Sequence, residues 1–499
     1  MAFLHPKSNF PPKDWNFWFL KYNEWAVWYS GDPQQLLEFY TKTAAGIDGT
    51  KEKFWARLEA EERNGIVHFP LAGDICGTSA DLLFSESPIF KYDEKVKGGQ
   101  RLNDILAKNG FNSILLEGAE MSAALSGCIL KLDIAPQLEN VPIVHIVNPL
   151  QFIPTFWWGR LWEVLFFRIV KQTDSKIYRL FENRRREGNS LIIEFKLNEG
   201  THNKVGREVD LDYLSETQNL KLSQFTEYKN MNGLGCVYVP NMRPNKLDVG
   251  NTLGINDYSG EISLLDSLDF AWTSWMRDIE LGMGQIFVDE ELLHTSKTDV
   301  NGTDVFLNKF SKFQKSFIKL NLTNWKMGGE SGAKPIDAVQ LDIRVDEHMK
   351  TCSELSQHIV SLCGYSPQTF GFGDFGNAQS GTALKIRENK SQKTRSKKEK
   401  YFRPAILKLM EQAQNFDKSS GLSSNYENVD MSVEIEDSIM TDSKEVSETI
   451  RNLYQAKAIS NYMKVKLQHP DWDDIKINEE VDKINKEEGI TSEIIETEV

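Results

Sequence analysis

The feature that most constrains this chain is a pair of amphipathic segments that enclose a long insertion. Residues 264–285 place apolar side chains three and four residues apart, which is typical of a helix with one apolar face. Residues 345–363 repeat the pattern over a similar length. Because each helix must bury its apolar face against another element, the two segments predict a helical hairpin with residues 286–344 at its tip.

The insertion at the tip predicts a β-rich module. It begins and ends with strand-like sequence and has glycine- and asparagine-bearing turns between. Two interpretations of its lysine- and aromatic-rich part stay open: the aromatic residues form the module's own core, or the segment docks another protein or nucleic acid. The cations of this part are Lys309, Lys312, Lys315, Lys319 and Lys326.

A glycine-rich loop follows the hairpin, within residues 365–381. Glycine and small polar residues leave the backbone free, so we predict a mobile loop. Its central residues are Phe370, Gly371, Phe372, Gly373, Asp374, Phe375, Gly376, Asn377, Ala378, Gln379 and Ser380.

A long basic helix is predicted next, over residues 382–414, with a kink at Pro404 because proline cannot donate a backbone hydrogen bond. Its charged face is either solvated or a surface that meets phosphates or an acidic neighbour. The cations of this helix include Lys385, Arg387, Lys390, Lys393, Arg395, Lys397 and Lys398.

The flanking regions predict an α+β body and a helical tail. Residues 14–30 predict a helix whose aromatic face either packs in a core or docks a neighbouring subunit. Short segments between residues 127 and 242 predict strands, and residues 432–439 predict a strand that returns to this body. Residues 441–499 are acidic and predict further helices.

Composition excludes several classes of protein. A length of 499 residues exceeds one ordinary core, so we expect two to four domains. The formal net charge of −14 excludes a protein that grips nucleic acid over its whole surface. Five scattered cysteines suit a reducing compartment. We recognise no signal peptide and no apolar stretch of membrane-spanning length, so we expect synthesis in the cytoplasm without membrane contact.

No arrangement of residues predicts catalysis, a metal or a cofactor. The sequence GFGDFG (371–376) matches the glycine pattern of dinucleotide-binding loops, but the segment before it predicts a helix where such a loop requires a strand. The histidines do not have metal-ligand spacing. A nucleotide-binding enzyme that uses GFGDFG therefore remains only as an alternative hypothesis.

Several stretches together resemble the portal proteins of tailed bacteriophages, of the long non-contractile-tail type that infects Gram-positive hosts. The resemblance covers nearly the whole chain. It is carried by WAVWYSGD (25–32), VHFPLAGDICGTSADLLFSESP (67–88), SGTALKIREN (380–389), VEIEDSIMTDSKEVSETIRNLYQAKAIS (433–460) and HPDWDD (469–474).

The resemblance implies the phage portal fold, assembled as a dodecameric ring with double-stranded DNA passing through a central channel. The parts of that fold would be a wing (1–261, with 415–440 returning to it), stem helices (262–285 and 345–364), a clip (286–344), a tunnel loop (365–381), the long kinked basic helix (382–414) and a crown (441–499).

The implied partners are the terminase and then a head–tail connector at the clip, and the major capsid and scaffolding proteins at the wing. The implied location is the portal vertex of the virion, with the host cytoplasm during assembly. A minor capsid or adaptor protein that forms no ring is the other alternative hypothesis.

Overall fold

The computed structural model describes residues 3–43, 50–58, 65–282, 285–289, 294–298, 304–308, 317–320, 336–339, 342–372, 381–423, 426–435, 443–469, 472 and 474–487. The chain mixes helices and sheets, which confirms the predicted α+β class. The α-helices are Asn16–Ser30, Pro33–Glu38, Phe54–Arg57, Leu71–Phe84, Lys97–Asn109, Phe111–Leu125, Ser215–Gln218, Ile262–Gly282, Val345–Leu362, Gly381–Ser419, Ser443–Gln455, Asn461–Gln468 and Asp474–Glu487.

The largest sheet is an antiparallel meander. Its central strands contain runs of consecutive buried residues, so both faces are covered there, and exposed residues occur mainly toward the strand ends. Its strands are Phe152–Trp157, Arg160–Gln172, Ile177–Glu187, Ser190–Thr201 and Lys204–Val209, and Phe225–Tyr228 pairs beside Ser190–Thr201.

A smaller sheet has Gly127–Asp133 at its centre, between Ile143–Val147 and Cys236–Pro240. The central strand is almost entirely buried, and its one buried cation, Lys131, is paired with Asp133 and Glu182. All three strands were predicted from sequence.

The main core combines helices, this smaller sheet and the second half of Gly381–Ser419, which we call the long helix. The helix continues through Pro404. Its buried side chains recur every three or four residues, so one face of the helix lies in the core. They are Phe402, Ala405, Ile406, Leu409, Met410, Ala413 and Phe416.

The aromatic helix Asn16–Ser30 belongs to a second core and is not a docking surface. Trp25 and Trp28 are fully buried, and Trp18 and Tyr22 are nearly so. Gly31 ends the helix in the left-handed conformation (φ 68°), which glycine adopts without a steric penalty. The core interpretation of this aromatic face is therefore confirmed.

The predicted helical hairpin is confirmed. We call Ile262–Gly282 the first hairpin helix and Val345–Leu362 the second. Asp278, near the end of the first helix, contacts His348, near the start of the second, so the two helices run antiparallel.

Strands occur in the insertion at its tip, as predicted. Gln285–Asp289 pairs with Phe317–Leu320 and Ile336–Val339, and His294–Thr298 pairs with Asp304–Asn308.

The chain returns to the N-terminal body after the long helix. Ser432–Glu434 pairs antiparallel with Ile89–Lys91. Three helices follow, of which Asn461–Gln468 was missed in the sequence. Of the helices that the structure describes, none combines the length and the apolar character that crossing a membrane requires.

Candidate functional site at the base of the glycine-rich loop

The glycine-rich loop starts from a short, well-packed turn. Pro367–Phe370 forms one 3-10 turn, and Gly371 ends it with φ 75°, in the left-handed region. The Phe370 ring meets the buried Tyr365 ring edge to face at 6.0 Å. Phe370 and Phe372 are partly buried against the second core. The predicted loop residues Gly373, Asp374, Phe375, Gly376, Asn377, Ala378, Gln379 and Ser380 lie outside the described residues.

Side chains of the long helix hold this turn in place. The hydroxyl oxygen of Ser391 accepts a hydrogen bond from the backbone N–H of Ser366 at 2.8 Å and lies 2.8 Å from the hydroxyl of Thr369. Thr394 donates to the carbonyl of Gly364 at 2.5 Å. The base of the loop is therefore fixed by hydrogen bonds to two buried residues of one helix.

A buried ion pair, which we call the junction, lies one turn further along the long helix. Lys398 Nζ donates to Asp257 Oδ2 at 2.6 Å and to Ser79 Oγ at 2.5 Å. The Tyr365 hydroxyl donates to the same carboxylate at 2.7 Å. Both charged side chains are inaccessible to solvent. The junction thus connects four segments that are far apart in sequence.

The chemistry of the junction is that of a structural clamp. A buried charge is costly unless it is paired and hydrogen-bonded, and here both conditions hold. Burial, followed by the negative charge of Asp257, raises the pKa of Tyr365, so the phenol stays protonated and can donate. Burial likewise raises the pKa of the nearby Cys76 and Cys363 thiols, which removes the thiolate needed for reactivity.

The basic helix divides into buried and exposed cations. Lys398 and Arg395 are buried, and Arg395 Nε donates to the carbonyl of Leu82 at 2.6 Å. The sequence interpretation that placed these two on a charged surface is therefore wrong, because both bind groups of the protein interior. Lys385 and Arg387 lie in the first turns of the helix, where the structure describes only the backbone.

The remaining predicted cations form one exposed stripe. Lys390, Lys393 and Lys397 are exposed at spacings of three and four residues, and Lys400 continues the stripe. Lys390 also donates to the hydroxyl of Ser361 at 2.9 Å. A charged face therefore exists, but it is narrower than the sequence suggested.

The buried face could have been recognised in the sequence. Ser391, Thr394, Lys398 and Phe402 follow one another at spacings of three or four, and the apolar stripe of the second half continues them. Small hydroxyl side chains on such a stripe signal an inward face that holds hydrogen bonds rather than a solvated surface.

Near its tip, the helical hairpin is held together by polar contacts around Asp278. Asp278 accepts from Arg344 Nε at 2.9 Å, and His348 Nε2 lies 2.9 Å from the same carboxylate. The hydrogen bonds from His348 and Arg344 lower the pKa of Asp278. The Trp275 ring stacks on His348 at 6.1 Å and on Trp272 at 5.1 Å. These contacts fix how the two helices pack.

Large apolar side chains stay exposed along the hairpin. Exposed apolar side chains of this size are available for contact with another macromolecule. Its most exposed members are Phe270, Ile279, Leu281, Val345, Met349 and Leu362.

The other predicted features add no binding or catalytic group among the described residues. Lys319 lies in the strand Phe317–Leu320, of which the structure describes the backbone, and Lys309, Lys312, Lys315 and Lys326 lie outside the described residues. The helix Val345–Leu362 precedes GFGDFG, so the strand that a dinucleotide loop requires is absent from the described residues before it. Within the described residues, no group of three or more metal-binding side chains occurs.

Comparison with protein families gives a match over most of the chain. The family described as "Phage portal protein, SPP1 Gp6-like" matches residues 21–493. None of the curated proteins compared with the chain matches it significantly.

Among the solved structures that are similar at low identity are two GTA particles. "Neck of empty GTA particle computed with C6 symmetry" shares 12% identity at a TM-score of 0.41, covering 82% of this chain and 92% of the other. "Virion of native gene transfer agent (GTA) particle" shares 13% identity at a TM-score of 0.38, covering 81% of this chain and 91% of the other.

Proposed function

The chain belongs to the SPP1 Gp6-like family of phage portal proteins, and we propose from this that its copies close into a ring at one capsid vertex. Phage DNA would be packaged and ejected through the channel of that ring. The observation that carries the proposal is the family match, which extends over residues 21–493.

The parts of the ring follow from the order of elements. We assign residues 1–261 with 415–440 to the wing and residues 286–344 to the clip. The stem would be residues 262–285 and 345–364, which contain the two hairpin helices. Residues 365–381 would form the tunnel loop, 382–414 the helix behind it, and 441–499 the crown. The exposed apolar residues of the hairpin support this assignment, because neighbouring stems in a ring would bury them.

The net negative charge of the chain suits a channel that must not bind the DNA passing through it. Twelve copies with a formal charge of −14 each would carry −168, which repels the phosphate backbone at long range. Salt screens that field beyond about 8–10 Å, so only the wall and the loops would act on moving DNA. A tunnel loop with few charges, such as GFGDFGNAQSG (371–381), could touch DNA without trapping it.

The role is structural, and ATP hydrolysis would belong to a separate protein. The terminase would dock at the clip through the cations of residues 309–326 and be replaced by a head–tail connector. The capsid and scaffolding proteins would contact the wing. We place the protein in virions with long non-contractile tails, and in the host cytoplasm during assembly.

The first test is the mass of the purified protein. One chain has a mass of 57.1 kDa, so a ring of about twelve gives particles of several hundred kilodaltons with a central hole in electron micrographs. A protein that stays a monomer or a small oligomer under all assembly conditions would overturn the proposal in favour of a minor capsid or adaptor protein.

The second test removes residues 373–379 and leaves the turn at Phe370 intact. We expect normal ring assembly and impaired packaging or retention of DNA, measured as genome content per particle. The matched control replaces the same seven residues by a glycine–serine segment of equal length, which separates loop length from loop chemistry. Full genome content in the deletion variant would refute the tunnel-loop assignment.

A further inference from the structure

A cationic cleft of about 680 Å³ lies between the turn at Gly159 and the second half of the long helix. Five cationic side chains and one carboxylate line it: Arg160, Arg186, Arg243, Lys400, Lys408 and Glu411. Among the residues that the structure describes, none is an ion-pair partner of these five cations. In a chain with a net charge of −14, a group of uncompensated cations indicates an anionic ligand.

Two polar atoms in the lining are buried without a partner. The Gln412 side chain is 1% exposed, and its Oε1 receives no hydrogen bond from the described part of the chain. Arg243 Nε is buried and, within the same part, donates to no acceptor. Because buried polar atoms are nearly always partnered, a ligand that supplies both a donor and an acceptor would complete this site.

The floor and rim of the cleft are apolar. Leu234, Val237 and Ala405 line the floor. Trp162 lines one side and packs with Trp157 at 5.0 Å, and the adjoining Trp158 is 89% exposed. Exposed tryptophans beside arginines are the composition that dominates binding energy in protein–protein contacts.

We propose that this cleft binds an acidic peptide segment of a partner protein. Carboxylates of the segment would face Lys400, Lys408 and the arginines, and its apolar side chains would pack on the floor. A backbone N–H of the segment would bind Gln412 Oε1, and a backbone carbonyl would accept from Arg243. A phosphate backbone supplies acceptors only, so it would leave the Gln412 oxygen and the apolar floor without partners.

The test is saturable binding of fluorescent acidic peptides to the full chain, followed by anisotropy. One probe is the dodecapeptide EGITSEIIETEV (488–499), which has four glutamates and four branched apolar residues and lacks lysine and arginine. The second probe alternates glutamate and leucine over twelve residues. We expect binding of at least one probe, and a loss of tenfold or more when its glutamates become glutamines. Absence of saturable binding by both probes overturns the proposal.

Two variants with a matched control locate the site. Lys400→Glu with Lys408→Glu should weaken peptide binding tenfold or more. Lys393→Glu with Lys397→Glu makes the same charge change on the same helix outside the cleft and should change binding less than twofold. Equal weakening by both pairs would show a general charge effect and overturn the assignment.

A third variant distinguishes peptide binding from nucleic-acid binding in the cleft. Gln412→Leu keeps the charge of the cleft and removes the acceptor, so peptide binding should weaken several-fold. If a 20-base-pair DNA duplex displaces the peptide and its own binding is unchanged in Gln412→Leu, the cleft is a nucleic-acid site and the proposal fails. Particle mass is measured on the same samples, so that failure of ring assembly and failure of peptide binding are distinguished.

Discussion

Two of the groups of buried charges in this molecule differ in how many partners each charge has. In the sheets, Arg184 donates to Glu182 at 2.5 Å, to the carbonyls of Leu132 and Gly235 at 2.8 and 2.9 Å, and contacts Asp133. Lys131 also bridges both carboxylates, at 2.7 and 2.9 Å. At the junction, Lys398 is the only cation that the structure describes in contact with Asp257.

The difference shows what each group does. The sheet cluster joins strands within one body, and each of its charges keeps a partner when another is lost. The junction joins the end of the second hairpin helix, the segment before the first hairpin helix, the helix Leu71–Phe84 and the long helix. The junction therefore joins its four segments through a single cation, Lys398, in addition to the hydrogen bonds that Ser391 and Thr394 make to the loop base.

The largest effect is expected from Lys398→Met. Removing the cation leaves Asp257 charged and buried, which costs about 3–5 kcal/mol of the free energy of unfolding. Urea denaturation followed by tryptophan fluorescence measures this cost. The control is Lys397→Met, an exposed neighbour that should change stability by less than about 0.5 kcal/mol. Equal stability of the two variants would show that the junction is not a clamp.

A smaller effect is expected from Ser391→Ala. The backbone N–H of Ser366 loses its buried acceptor, which costs about 1–3 kcal/mol. Amide hydrogen exchange at Ser366 should become faster, while exchange in the sheets stays unchanged. Ser396→Ala, at an exposed position of the same helix, is the control. Unchanged protection of Ser366 would contradict the proposed attachment of the loop base.

The smallest effect is expected from Asp133→Asn. Burial alone would raise the pKa of Asp133, but Lys131 and Arg184 outweigh it and lower that pKa to about 2. Because Arg184 keeps Glu182 and two carbonyls, and Asp133 is partly exposed, we expect a loss of below about 1 kcal/mol.

The pH dependence of stability gives a second test of the Asp133→Asn substitution. The folded pKa of Asp133 lies below the ordinary value of 3.8, so its contribution is present above pH 3.8 and is lost as the pH falls toward 2. Urea midpoints measured across this interval should fall less steeply in Asp133→Asn than in the unaltered protein. Parallel curves would show that this carboxylate does not contribute.

Local patterns predicted much of the fold. Helices 14–30 and 345–363 and the strands at 127–133, 176–185 and 189–198 were found because apolar spacing within a segment reports its own structure. The helix Asn461–Gln468 was missed because it is short and because its apolar residues Met463, Val465 and Leu467 alternate, a spacing typical of a strand.

The site was less predictable, because its contacts are distant in sequence. Lys398 and Asp257 are 141 residues apart, so a charge run that is locally typical of a solvated face hides a buried ion pair. The spacing of Ser391 and Thr394 from Phe402 was the available local signal. The uncompensated cations of the cleft come from two strands, a loop and a helix, and only the fold brings them together.

In the long helix Gly381–Ser419, the number of residues between the buried contacts is consequently fixed. Each added residue would rotate everything after it by about 100° around the axis. An insertion between Thr394 and Lys398 would therefore swing Lys398 away from Asp257 or turn Phe402 out of the core. The strands between the hairpin helices do not require a fixed number of residues. Related chains should differ in length at the hairpin tip, and from Ser391 to Phe416 they should keep the same number of residues.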